Sequence, residues 1–153
     1  MRCQAHDIIF DSVQGELLCP FFPENVCVAM LLTNATLNLL SIFNCHCEDC
    51  RRATGSVFGT NFFVPEDELE IFGEVSSYSH TADSGSTMTK RFCPNCGSLL
   101  FGNNSAKSNV VSIRAGTVDQ LDLIKPVVNV FMDSKVPSTS IDENLKQASR
   151  MPS

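Results

Sequence analysis

Short apolar runs, closely spaced turn residues and a modest length together predict a mainly β chain folded as a single domain. The runs are rich in Val, Ile, Leu and Phe, and each is only a few residues long. Between them stand Gly, Pro, Asn, Asp and Ser, the residues that reverse a backbone with least strain. Short strands at regular spacing with such turn signals mark an all-β domain. The 153 residues suit one compact unit. Hydrophobic residues make up 43 % of the chain and charged ones only 18 %, and the mean hydropathy is +0.04. That balance supports a packed core and argues against wholesale disorder.

The elements follow in order. Residues 1–24 mix apolar and polar positions without a period and contain Pro20 and Pro23, so they are expected to form an irregular extension. Val28 to Leu32 is an apolar run, Thr33-Asn34-Ala35 a turn, and Leu37 to Phe43 a second run, a candidate hairpin leading into a cysteine cluster. Arg51 to Ser56 reads as a short turn or the start of a helix. Val57 to Val64 is a Phe- and Val-rich strand that Pro65 to Glu68 breaks. Leu69 to Phe72 alternates and ends at Gly73. Val75 to Tyr78 and Thr87 to Phe92 are strands around the loop Asp83 to Ser86. Leu99 to Phe101 and Val110 to Ile113 are strands separated by a polar loop, Gly116 to Asp119 is a turn, and Val127 to Met132 is a last strand. Residues 138–153 form a polar tail, expected to be mobile or at most one short helix. The chain shows neither an internal repeat nor a domain boundary.

Charge narrows the function classes. The net charge is −6 and the isoelectric point about 4.9. A nucleic-acid binder offsets phosphate charge with a basic face, so neither nucleic acid nor an anionic membrane surface is the expected partner. Met1 to Phe10 carries Arg2, His6 and Asp7 and lacks the apolar region of a secretory signal. The most apolar stretch, Val28 to Phe43, is interrupted by polar residues and falls short of the roughly 20 apolar residues of a membrane span. The glycosylation-like triplets Asn34-Ala35-Thr36 and Asn103-Asn104-Ser105 are read as chance without an export signal. The expected location is the cytoplasm.

Eight cysteines are many for such a chain. Cytosolic thiols stay reduced, so clustered cysteines there read as metal ligands. Cys93-Pro94-Asn95-Cys96-Gly97 is a knuckle that turns two sulfurs toward one ion. Cys45, Cys47 and Cys50 place three thiols on one short segment. Structural zinc sites have four protein ligands, whereas catalytic ones keep three and an exchangeable position, so this triplet suggests an open site. The alternative is that it joins the other cysteines in one structural site, but together they exceed four ligands. On an extended segment His46 points away from its cysteine neighbours, which suits a packed histidine better than a ligand. His6 and His80 lie far from either motif and read as surface or loop residues.

With these residues in hand, the chain resembles the glutathione-dependent formaldehyde-activating enzyme family, which also includes centromere protein V. The resemblance runs from about Asn25 to about Pro137. It rests on Cys45-His46-Cys47-x-x-Cys50-Arg51-Arg52-x-Thr54-Gly55-Ser56, on Arg91-Phe92-Cys93-Pro94-x-Cys96-Gly97-Ser98 and on Ala115-Gly116-Thr117-Val118-Asp119. It implies antiparallel sheets in a zinc-stabilised β-tent over residues 25–137. It also implies a catalytic zinc on Cys45, Cys47 and Cys50, and a structural zinc on Cys93, Cys96 and an early cysteine pair. Of that pair only Cys27 stands here, with Asn25 in the other place. Asn129 stands where the family usually has His, and the family's later Trp is replaced near Ser138.

The chemistry so implied is that of a carbon–sulfur lyase: reversible addition of a thiol such as glutathione to an aldehyde. Arg51 and Arg52 are then catalytic-site candidates, offsetting the negative metal site or pairing with a carboxylate of the thiol. Their plainer reading is a solvated pair with Glu48 and Asp49, which are themselves candidate proton acceptors. Thr54 and Ser56 could bond ligand sulfurs or cap a turn. Two rival functions stand beside this one, a zinc-stabilised binding module without turnover and a repurposed lyase or dehydratase acting on another metabolite.

Overall fold

A computed structural model describes residues 6–10, 28–32, 41–82, 84–118, 122 and 124–152, with only the backbone described at 6–10 and 28–32. The protein is mainly β. Its strands are β1 (His6–Phe10), β2 (Val28–Leu32), β3 (Phe43–Cys45), β4 (Gly59–Pro65), β5 (Leu69–Gly73), β6 (Ser76–Thr81), β7 (Thr87–Phe92), β8 (Leu99–Asn104), β9 (Lys107–Arg114), β10 (Val128–Val130) and β11 (Lys146–Gln147). Helix α1 (Glu48–Thr54) follows β3. One sheet has three strands in the order β1-β2-β5, the other eight in the order β11-β10-β3-β4-β9-β8-β7-β6. Pairing is antiparallel from β3 across to β6. Parallel pairs join β10 to β3 and β11, and β1 to β2. No helix among the described residues is long and apolar enough to cross a membrane.

β4 positions the site because both its faces are covered. Side chains alternate across a strand. Phe62 and Val64 enter the main core with Ile42, Leu100, Phe101, Val111 and Ile113. Phe63 turns to the other face, where its ring packs 5.1 Å from that of Phe43. That second face holds a smaller cluster of Phe43, Cys45 and Val130. A polar ladder crosses the sheet on the opposite face from this cluster. Thr60 donates to Asn44 Oδ1 (2.8 Å), and Asn44 Nδ2 donates to Asn129 Oδ1 (3.1 Å). These residues are register partners on β4, β3 and β10, so the ladder opposes a slip of either pairing.

Several boundaries differ from the sequence reading. Both edges of β2 are taken, by β1 and β5, so Val28–Leu32 does not form the expected hairpin with Leu37–Phe43, and Phe43 begins β3 of the other sheet. Residues 37–40 lie outside the described residues. His6–Phe10 forms a strand inside the stretch read as irregular. The polar loop expected between Phe101 and Val110 is mostly strand, closed by a short turn in which Asn104 Oδ1 accepts the Ala106 N–H (2.8 Å). Polar residues are compatible with strand there because that end of the hairpin faces solvent.

The described part of the polar tail, 138–152, contains no helix, and part of it is hydrogen-bonded onto the large sheet. Ala148 N–H donates to Asn129 O (2.9 Å), and Met132 N–H donates to Ala148 O (3.1 Å). Ala148 and Met151 pack on the Phe43–Cys45–Val130 cluster. Lys135 Nζ gathers the incoming loop by donating to the carbonyls of Val136, Pro137 and Thr139, each at 3.1 Å.

Candidate metal centre

Three local structures bring the three thiols together. β3 ends at Cys45, which is buried and lies opposite Gly59 of β4 and Val130 of β10. The chain then leaves the sheet at His46, whose N–H donates to Val130 O (3.0 Å). Cys47 is the N-cap of α1, with extended backbone (φ −63°, ψ 156°), and its Sγ accepts the Cys50 N–H at 3.4 Å. Glu48 and Asp49 in the first turn and Arg51 and Arg52 in the last suit the helix dipole. Gly55 closes the helix in the left-handed region (φ 66°), its N–H donating to Arg51 O (2.9 Å). The stretch 51–56, read as a short turn or the start of a helix, is therefore the end of a helix that begins inside the cysteine motif. A cysteine cap is not among the usual N-cap signals, so the sequence did not mark that start.

The Sγ atoms of Cys45, Cys47 and Cys50 all lie within 4.8 Å of one another, and Cys45 and Cys47 are 3.3 Å apart. All three are free thiols. Sulfurs sharing one tetrahedral zinc at about 2.3 Å stand about 3.8 Å apart. The cluster fits such an ion with small side-chain adjustments, and its soft thiol donors suit zinc. Hydrogen bonding to the Cys47 and Cys50 sulfurs pushes the Cys45 thiol up, with burial adding to it. Cys50 moves the other way. The bonds from Cys45 and Cys47 pull its thiol well down, and the Arg114 cation adds to them against the effect of burial.

Arg114 is the member that sequence reasoning missed. It ends β9, directly opposite Asn61 of β4. Its Nη1 lies 3.6 Å from Cys50 Sγ and donates a short hydrogen bond to Asn61 Oδ1. Asn61 is buried, donates to Gly59 O (2.9 Å) and reaches Cys50 Sγ at 4.0 Å. Arg114 and Cys50 are 64 residues apart in the chain, and the β4–β9 pairing sets Arg114 on the side of β4 where Cys50 lies. The motif Ala115-Gly116-Thr117 directly after Arg114 was the available signal.

The remaining candidates are spread around this centre. His46 is buried at 1 % exposure, with its ring 5.2 Å from that of Phe58 and neither ring nitrogen hydrogen-bonded. It is packed and stands apart from the thiol cluster. Burial lowers its pKa. The Asn129 side chain opposes that shift, and the Lys135 cation adds to it. Arg52 pairs with Glu48 at 2.5 Å on an exposed face. Arg51 is half-buried, with a buried Nε that has no hydrogen-bond partner. Thr54 Oγ1 donates to Cys50 O (2.8 Å) and accepts the Ser56 N–H (3.3 Å), so it serves the helix end and does not touch a sulfur. His80, read as a surface or loop residue, sits on β6 with Nε2 3.2 Å from Asp49 Oδ1, and Lys90 Nζ lies 3.9 Å from the same oxygen.

The knuckle lies elsewhere in the fold. Cys93 is buried in the main core, Gly97 N–H donates to Cys93 O (2.9 Å), and Gly97 takes φ 74°. Cys96 is exposed, with its thiol donating to Ser98 Oγ (3.2 Å). Cys27 and Asn25 lie outside the described residues. A cavity of about 290 Å³ between α1 and the knuckle is lined by Ala53, Tyr78, Lys90, Phe92, Gly97 and Leu99. A larger hollow of about 450 Å³ has Glu66, Asp67 and Asn109 as its described lining residues.

Fold and site thus define a class, a mainly β protein with a thiol cluster that can hold a metal ion. The chain belongs to the glutathione-dependent formaldehyde-activating enzyme family, whose model matches residues 25–134. No individual curated protein matches it.

Proposed function

We propose that this protein is a zinc-dependent carbon–sulfur lyase that joins a thiol and an aldehyde reversibly, with glutathione and formaldehyde, the pair in the family's name, as substrates. The observation that carries this reading is the convergence of Cys45, Cys47 and Cys50 within 4.8 Å. Bound there, zinc supplies a position at which a substrate sulfur is held as its nucleophilic anion near neutral pH. Arg114 offsets the negative charge that three thiolates bring. Arg51, with its unpartnered buried Nε, receives a carboxylate of the thiol substrate. The cavity between α1 and the knuckle takes the body of that substrate beside Lys90.

In the forward direction the substrate sulfur bonds to the aldehyde carbon and the carbon–oxygen π bond opens. The proton that leaves the thiol ends on the new hydroxyl oxygen. Asp49 Oδ1, next in the chain to Cys50 and steadied by His80 and Lys90, is the acceptor and donor of that proton. Cys93, Cys96 and Cys27 hold a second, structural zinc, and the two sheets form the family's β-tent. A reducing cytoplasm keeps all these thiols available.

The test is the rate of exchange between formaldehyde and its glutathione adduct, followed by carbon NMR with and without protein. The zinc-loaded protein is expected to accelerate exchange, and Cys47→Ser to return it to the uncatalysed rate. A zinc-loaded protein that leaves the rate unchanged would contradict the enzyme reading and leave the binding module standing.

A further inference from the structure

We infer that Arg114, with Asn61 and Gly59, forms a built cation seat for the Cys50 sulfur, and that Arg114 is a positioning residue setting how strongly the thiol cluster holds its metal and how electron-rich that sulfur is. The inference rests on the proposal that the cluster binds zinc.

Three separate observations converge on it. The first is contact. Arg114 Nη1 is 3.6 Å from Cys50 Sγ, and the same nitrogen is fixed by a short hydrogen bond to Asn61 Oδ1. The second is anchoring. Asn61 is 1 % exposed and is itself held by Gly59 O at 2.9 Å, so its oxygen is aimed at the guanidinium and its Nδ2 at the sulfur side. The third is space. A Cβ on Gly59 would stand 3.3 Å from Arg114 Nη1, 3.4 Å from Thr54 Cγ2 and 3.5 Å from Cys50 Cβ. The contacts to Thr54 and Cys50 are ordinary van der Waals distances, whereas the one to Nη1 is tight, so a methyl at Gly59 would push the guanidinium aside by a few tenths of an ångström. Gly59 and Asn61 are two apart on β4, so they share one face, and their register partners Cys45 and Arg114 come from the strands on either side.

The consequence follows from charge. Zinc with three thiolates is formally an anion, whereas the same cluster with protonated thiols is neutral. A cation fixed beside one sulfur favours the metal-bound state. A hydrogen bond to that sulfur also draws electron density from it. Groups that hydrogen-bond to metal ligands typically change metal affinity by roughly 10- to 100-fold when removed.

The experiment is cobalt titration of the full chain, read as affinity in competition with a chelator and as the energy of the sulfur-to-cobalt charge-transfer band. Arg114→Met is expected to weaken cobalt binding by roughly 10-fold or more and to move the band to lower energy, because the sulfur loses its hydrogen bond. Arg114→Lys keeps the charge without the planar fork, so it recovers most of the affinity. Gly59→Ala removes no polar group but displaces the guanidinium slightly, so it shifts the band in the same direction by less. This variant covers the case in which Arg114→Met does not fold. Charge-transfer bands in the wild type that keep their energy and affinity in Arg114→Met, or keep their energy in Gly59→Ala, overturn the cation seat alone. No thiolate band in the wild type overturns the metal reading and the seat together.

Discussion

Asn109 and Gly102 show how single residues hold the scaffold under the site. Asn109 takes φ 63° on the exposed part of β9, a region that Asn visits more easily than a β-branched residue. Asn109→Val is expected to cost about 1–2 kcal/mol of stability and Asn109→Gly essentially nothing, as read from urea unfolding midpoints. Equal midpoints for the two variants would contradict the strain argument. Gly102 answers a different need, since a Cβ there would stand 2.8 Å from Thr89 O on the neighbouring strand. Residue types that carry chemistry in a local motif were legible from sequence: Cys45, Cys47 and Cys50 stand together as their spacing implied. Arg114 was not legible, because its partner Cys50 is distant in the chain and an arginine at a strand end is ordinarily a surface residue. The role of His80 was hidden for the same reason, since its contact with Asp49 depends on how β6 lies against α1.

At the scale of elements, strands were easier to see than their partners. β5 and β7 fall where alternation and turn residues placed them. The hairpin expected between the first two apolar runs does not exist, because pairing depends on which edges are free and a run of five residues carries no mark of that. The tail shows the opposite error. Its composition is polar, yet β11 extends the large sheet through parallel pairing with β10, and Ala148 and Met151 cover the cluster around Cys45. Two paired residues in a polar segment are too few to show a period. Met151→Ala is expected to lower stability by about 1 kcal/mol through lost burial. Because Val130 lies opposite Cys45 in the same cluster, removal of residues 146–153 should lower the melting temperature further. A truncated chain that melts with the full one would show that the strap bears no part of the fold.

At the scale of the whole molecule, packing separates the described cysteines. Cys93 belongs to the main core and Cys45 to the smaller cluster on the other face of β4, so the described thiols do not gather into a single structural site. Sequence alone left that alternative open, since ligand counting can argue against a merged site without showing where each thiol lies. The net charge of the chain is −6, yet the thiol centre has the Arg114 cation fixed against one of its sulfurs, which sets the site apart from the acidic balance of the whole. The account stands on one claim, that the three converging sulfurs hold a metal ion. Native mass spectrometry of the zinc-loaded chain beside its Cys47→Ser variant tests it most directly. The wild type is expected to carry one more zinc ion than the variant, whatever the knuckle holds, and equal zinc content in the two proteins would contradict it.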